Sequence, residues 1–459
     1  MPRNGRIFKA SCHVLPGARC GGGERSILAW FGHRTLETIS LLRSQTARDA
    51  VLVAVAQLVS AVLRFSVTVF MARLLSPADW GNVAVFIAMV DVFAILGDGG
   101  VNATLVRFIA ADARARASAV FCKCASLKAL ICVTLLGILW VLREPILENQ
   151  RFPDELHWLY PVAMCAAVFV TFHGLMLSVF QAKQEYGRYA LGYVAVNTLR
   201  VFAFAMLMIL GISSLRGITL AFFSMPAVAL LLAAPLAFHT LWRRSSAFGP
   251  TARISTLLLF MGPVAAINAI MIGNMRISNF MLKALASSEA VANYELACQL
   301  GFVFPLLSGA LFTVLLPKVS AMQSREELRN YRARLLRIYP AVLPVCLAGV
   351  LIGPWFIALV FGAKYVDSLM IVRVLVIAFG IQVLSHPLGL VFYAVSRPGY
   401  LTLVHFLQFV VIVTLNWIFI PLWGGVGAAI AMLIAASVTV AAVIAGSGWV
   451  IRVREREAL

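Results

Sequence analysis

The sequence predicts an all-α polytopic membrane protein of about twelve transmembrane helices, set as two six-helix lobes around a central cavity. Three observations lead there. Hydrophobic residues make up 61% of the 459 and charged residues 12%, with a mean hydropathy of +0.92, more apolar than a water-soluble chain of this length sustains. The apolar residues come in long runs: in 50–71 only Gln57, Ser60, Arg64, Ser66 and Thr68 are polar. A weak internal repeat at a shift of 210 residues divides those runs six and six.

Residues 1–46 form a cytoplasmic tail, rich in Arg and Gly, without the apolar core of a secretory signal. Within it Ile27, Leu28, Trp30, Phe31, Leu36, Ile39 and Leu42 suit an interfacial amphipathic helix. The spans follow at 50–71, 80–106, 118–142, 157–181, 188–211, 216–241, 254–282, 290–316, 335–360, 368–394, 400–420 and 425–451. A net charge of +19 would suggest nucleic acid in a soluble protein; here the basic residues sort by side of the membrane instead. Twenty-six Lys and Arg fall in the tail and alternate loops, and six in the opposite loops, which puts both termini in the cytoplasm. Eight cysteines lie mostly inside spans, and the Cys122–Cys124 spacing places its thiols on different sides of a helix, so no metal set is formed.

Six cations remain inside the spans: Arg64, Lys123, Lys128, Arg200, Arg276 and Arg373. Each costs about 2.5–3.5 kcal/mol at a helix centre, so they need a polar cavity or partners. Arg64 stands about 21 Å into its span and shares a stripe with Gln57, Ser60 and Thr68. Arg200 continues a stripe of Tyr189, Tyr193 and Asn197, and Arg276 shares a sector with Asn268 and Asn279. The acidic companions are Asp91, Asp98 and Glu295; Asp91, Asp98 and Asn102 repeat at seven and four residues on one face. Asp91 and Glu295 suit either ion coupling or neutralisation of the arginines, with Arg276 and Glu295 a natural pair. Lys123 is near enough to its helix end to snorkel. Lys128 and Arg373 are read as cavity cations, although Arg373 has no polar stripe. His173 and His405, alone in apolar spans, read as packing residues.

The repeat sets Arg73 against Lys283, Leu75 against Leu285, Asp79 against Glu289 and, after one inserted residue, Asn82 against Asn293. It marks the turn between spans one and two and again that between seven and eight. An even number of spans per copy keeps both in one orientation, giving lobes 47–242 and 254–459 joined by a cytoplasmic linker at 243–253. Bends are expected at Gly97–Gly100 and at Pro263, Pro305, Pro344 and Pro387, and a tight turn at Pro421–Gly425.

Six segments then carry a resemblance: Ala72–Gly81, Asp98–Arg107, Tyr294–Ala297, Leu316–Ser320, Phe361–Tyr365 and Ile420–Ile430. In this order on a twelve-span frame, the chain resembles the polysaccharide transporter family, the Wzx-type O-antigen and capsule oligosaccharide flippases of the multidrug/oligosaccharidyl-lipid/polysaccharide exporter superfamily. Ala292, where the family usually has Gly, and the long tail depart from the pattern. The resemblance implies alternating access between two bundles in the bacterial inner membrane and export of lipid-linked oligosaccharide to the periplasmic leaflet. Its partners would be the lipid-linked oligosaccharide, membrane lipids, and polysaccharide polymerase and chain-length proteins, with no nucleic acid, no cofactor and no enzymatic step. The residues fit that cargo: Arg64, Arg200, Arg276, Lys128 and Arg373 for a pyrophosphate, and Gln57, Tyr193, Asn197, Asn268 and Asn279 for sugar hydroxyls. A multidrug exporter has the same frame, but cationic drugs want an acidic cavity. A membrane-embedded polymerase wants a large outer loop, and the longest here, 143–156, looks like an ordinary solvated one.

Overall fold

Long apolar runs leave every peptide group to be bonded within its own segment, and the chain answers with helices. In the computed structural model residues 45–110, 117–243, 253–301, 324–395, 397 and 399–456 are described, with isolated positions between 304 and 322. Most of the expected tail and interfacial helix, and of the 243–253 linker, lie outside the described residues. The chain divides into Met1–Leu52 and Val53–Leu459, and the cavity residues all belong to the second unit.

In order the helices are α1 (Gln45–Leu74), α2 (Pro77–Asp98), α3 (Val101–Ala110), α4 (Ala117–Val141), α5 (Arg143–Asn149), α6 (Leu159–Ala182), α7 (Tyr186–Ile209) and α8 (Leu215–Arg243). The second half has α9 (Ile254–Leu285), α10 (Ser288–Gly301), α11 (Arg325–Ile338), α12 (Val342–Phe361), α13 (Ser368–Gln382), α14 (Ser385–Ala394) and α15 (Gly399–Arg456). No strand occurs among the described residues. Ten stretches of them are long and apolar enough to cross a membrane. The last contains two spans: α15 breaks at Gly424 (φ 54°, ψ −128°), and Tyr400 Oη donates to the Ala442 carbonyl at 3.0 Å, so its two legs return side by side. The eighth expected span begins as α10 and then runs into residues mostly outside the description.

Two expected spans are each a pair of helices. The second breaks where Gly99 and Gly100 take left-handed φ of 52° and 77°, a conformation in which a Cβ is strained. The tenth turns between α13 and α14 at residues 383–384. Pro226 and Pro235 sit inside α8, which the expected bends did not include, whereas Pro344 falls in the first turn of α12, where proline is harmless.

Burial follows the apolar patterning. On α4, Val120, Cys124, Lys128 and Cys132 recur every four residues and are buried, while Leu130 and Val133 are 64% and 65% exposed, the side left for lipid tails. By contrast α6 is covered around most of its circumference and packs on α2 and α8.

The α1–α2 turn packs tightly on the end of α12 and the start of α10. Ser76 caps α2 by accepting from the Asp79 N–H at 3.1 Å, with Pro77 in the first turn. The last carbonyls of α1 and of α12 have no helical partner of their own. Arg73 donates from Nε to the Val360 carbonyl (2.6 Å) and from Nη2 to that of Leu359 (3.0 Å). In return Lys364 Nζ donates to the carbonyls of Leu75 (2.7 Å) and Arg73 (3.1 Å), and Tyr365 Oη to Ala72 O (2.9 Å). Burial against those carbonyls pushes the Lys364 ammonium below its usual pKa. The two copies of the repeat also touch, since Asn82 Oδ1 accepts from Lys283 Nζ at 2.6 Å and from Ser288 Oγ at 2.9 Å. A Cβ on Gly81 would lie 1.8 Å from the Ser288 carbonyl, so only glycine lets α2 and α10 approach this closely.

Candidate functional site

Behind this closed turn lies a cavity of about 170 Å³, walled by α1, α2, α6, α7, α8 and α10. Arg64 and Arg200 both line it, with Thr68, Asp91, Asn197, His173, Glu295 and Gln299. The two deep arginines singled out by depth and striping therefore share one void.

Proline chemistry explains how Arg200 is held. Pro226 has no N–H, so the Phe222 carbonyl one turn earlier loses its helical donor. Arg200 Nε donates to that carbonyl at 3.2 Å, and the guanidinium lies over the Phe222 ring with Cζ 3.8 Å from the centroid. Arg200 Nη1 donates to Asn197 Oδ1 at 3.3 Å, and Asn197 Nδ2 in turn donates to Ser60 Oγ at 2.8 Å and to Ser60 O at 3.3 Å. Ser60 and Arg64 are one helical turn apart on α1, so Asn197 ties the two arginine-bearing helices together. All of these partners of Arg200 are neutral, which leaves its charge available to an anion.

Arg276 takes the paired of its two expected roles, with Glu295, and not that of an open cavity cation. It is 6% exposed and bonded to Asp91 of α2 through Nη2 and to both oxygens of Glu295 through Nη1, at 3.3 and 3.2 Å. Glu295 also accepts from Asn279 Nδ2 (2.8 Å) and Gln299 Nε2 (3.2 Å). Four bonds saturate this carboxylate, so Glu295 and Arg276 form a structural knot rather than an open ligand or ion site. Asp91 closes the knot across 185 residues of sequence while still facing the cavity.

Six other expected cavity residues lie elsewhere. Lys128 is fully buried among α2, α3 and α6, paired with Asp98 at 2.9 Å, because its carboxylate partner lies beside the Gly99–Gly100 break. Arg373 is exposed, close enough to the start of α13 for its long stem to reach the interface. Gln57 is exposed on α1, and Tyr193 stacks on Tyr189 with centroids 6.0 Å apart rather than lining the void. Asn268 is half-buried on α9 and Asn279 bonds Glu295; neither lines the cavity.

The patterning missed Trp80, His173 and Gln299. Trp80 lies in the Ala72–Gly81 segment and His173 reads from the sequence as packing, yet both line the cavity, and Trp80 Nε1 and His173 Nε2 are buried without a hydrogen-bond partner. Buried polar groups are ordinarily bonded, so these two have bonding capacity left that a molecule in the cavity can take up. For Gln299 a signal existed: it stands four residues after Glu295 on the same helix. Among the described residues no group of three His, Cys, Asp or Glu is placed to hold a metal ion.

Comparison with known proteins adds the following. Residues 46–323 match the family model described as "Polysaccharide biosynthesis protein". No curated protein matches the sequence. Among solved structures, the lipid II flippase MurJ in an inward closed conformation superposes with a TM-score of 0.70 at 14% identity, over 86% of this chain and 87% of that one. An inward-facing multidrug resistance MATE family transporter of the MOP superfamily gives 0.71 at 16% identity, over 87% and 96%. An outward-facing MATE family transporter gives 0.62 at 17%, over 91% and 98%. At these identities the likeness establishes the fold.

Proposed function

Because the chain belongs to the family of polysaccharide biosynthesis proteins, we propose that it is a flippase carrying a polyprenyl-diphosphate-linked oligosaccharide from the cytoplasmic to the periplasmic leaflet. Lobes 47–242 and 254–459, joined by 243–253, alternate access to the cavity between them. The observation that carries this reading is the shared void of Arg64 and Arg200, with Arg200 bonded only to neutral groups.

A guanidinium pair presents forks of N–H donors that match the oxygens of a pyrophosphate. Asp91 and Glu295, the carboxylates of the void, are both bonded to Arg276, so the Arg200 charge stays directed at the void and attracts a headgroup anion. Trp80 Nε1 and His173 Nε2 offer further bonds to phosphate or sugar oxygens. The apolar tail stays in the bilayer, where transfer would gain nothing. With the α1–α2 turn shut by Arg73, Lys364 and Tyr365, loading occurs from the opposite side, which the excess of Lys and Arg marks as cytoplasmic.

Binding to purified protein tests the cargo class. A polyprenyl diphosphate binds, a neutral polyprenol does not, and Arg200→Ala weakens the diphosphate about 10- to 100-fold, the worth of one to two charge-assisted hydrogen bonds. Preference for a cationic amphiphile over the diphosphate would replace this reading with drug export.

A further inference from the structure

A second buried charge centre lies outside the cavity, and the proposed transport path leaves it unused. Lys128 is 0% exposed in mid-α4. Its ammonium is gripped by three oxygens from three other helices: Asp98 Oδ1 at 2.9 Å, Asn102 Oδ1 at 2.8 Å and the Thr171 carbonyl at 3.0 Å. The three N–H donors of an ammonium are thereby all used. The cage is itself organised: Asp98 Oδ1 also accepts from the Asn102 N–H at 3.2 Å, and a Cβ on Gly174 would come 3.2 Å from Asn102 Nδ2. Asp98 and Asn102 flank the left-handed Gly99–Gly100 pair, so the cage clamps the one place where the second span is interrupted.

A carboxylate, an amide oxygen and a main-chain carbonyl facing one small point are hard oxygen donors that suit a hard cation, and with Asp98 as their one formal charge they balance a monovalent one. A free lysine charge here would be prohibitive, and an empty cage would leave the largely covered Asp98 carboxylate, 13% exposed, without a counter-charge. We propose that the α2–α3 break contains a monovalent-cation site whose occupant is the chain's own Lys128 ammonium, a tethered ion in place of an exchangeable one. The cage stays filled whatever the salt, because its occupant is covalently tethered to α4.

The test is thermal unfolding of the detergent-purified full chain, a readout independent of the cargo assignment. Lys128→Ala should lower Tm by about 5–10 °C in choline chloride, the scale of an unpaired buried charge. Sodium or methylammonium chloride should restore at least half of that loss, while wild type does not respond to the exchange of salt. Lys128→Met, which fills the space without charge, and Lys128→Ala combined with Asp98→Asn should both stay unresponsive. An equal Tm for Lys128→Ala in all three salts would overturn the proposal. So would a wild-type shift with sodium as large as the variant's, or failure of Lys128→Ala to fold in methylammonium while Lys128→Met folds.

Discussion

Arg200 keeps its charge because the groups that hold it are a carbonyl, an amide and an aromatic face. Replacing Pro226 by Ala returns an N–H to the Phe222 carbonyl and withdraws one of those groups. Pro226→Ala is therefore expected to weaken diphosphate binding several-fold while raising helix stability, measured by titration and by Tm on one sample. At Glu295 the sign is opposite: Glu295→Ala leaves the buried Arg276 with Asp91 alone and should cost about 3–5 kcal/mol, seen as a drop in Tm. Depth and helical striping found Arg64 and Arg200 from the sequence, since both are properties of a single helix. The Arg276–Glu295 pair was legible too, but not its closure by Asp91 from a third helix, nor the bonding of Lys128. Asp91 and Asp98 share an azimuth two turns apart, about 10 Å, and that step is enough to give them different neighbours.

Among the elements, the α1–α2 turn and the residues after α12 cap each other's helix ends, cations meeting the negative ends of two helices. Each exchange is partly solvated and worth about 1 kcal/mol, so Arg73→Ala with Lys364→Ala should shift the open–closed balance on this side about 10-fold or more. Distances between spin labels at the two turns would report it; an unchanged distribution would deny the latch. Gly81→Leu should go further and prevent closure, because its side chain would occupy the place of the Ser288 carbonyl. The span pattern was legible from hydropathy alone, while the division of the second and tenth spans was not. Gly99 and Gly100 permit a break, and at it α9 comes close, its Met261 carbonyl 2.8 Å from where a Cβ on Gly100 would lie, a contact between distant segments that hydropathy does not carry.

For the whole molecule, the weak repeat marks a physical contact: Asn82 in one copy accepts from Lys283 and Ser288 in the other. The α1–α2 turn is sealed against the start of α10 and against the residues around the end of α12, with the arginine-lined void behind it. The most direct measurement is movement of a fluorescent polyprenyl-diphosphate sugar across liposomes containing the protein or its Arg64→Gln, Arg200→Gln double variant. A flippase that grips the headgroup through this pair moves the lipid in the first case and loses most of the rate in the second. Equal rates from the two proteins would contradict an arginine-lined path for the headgroup.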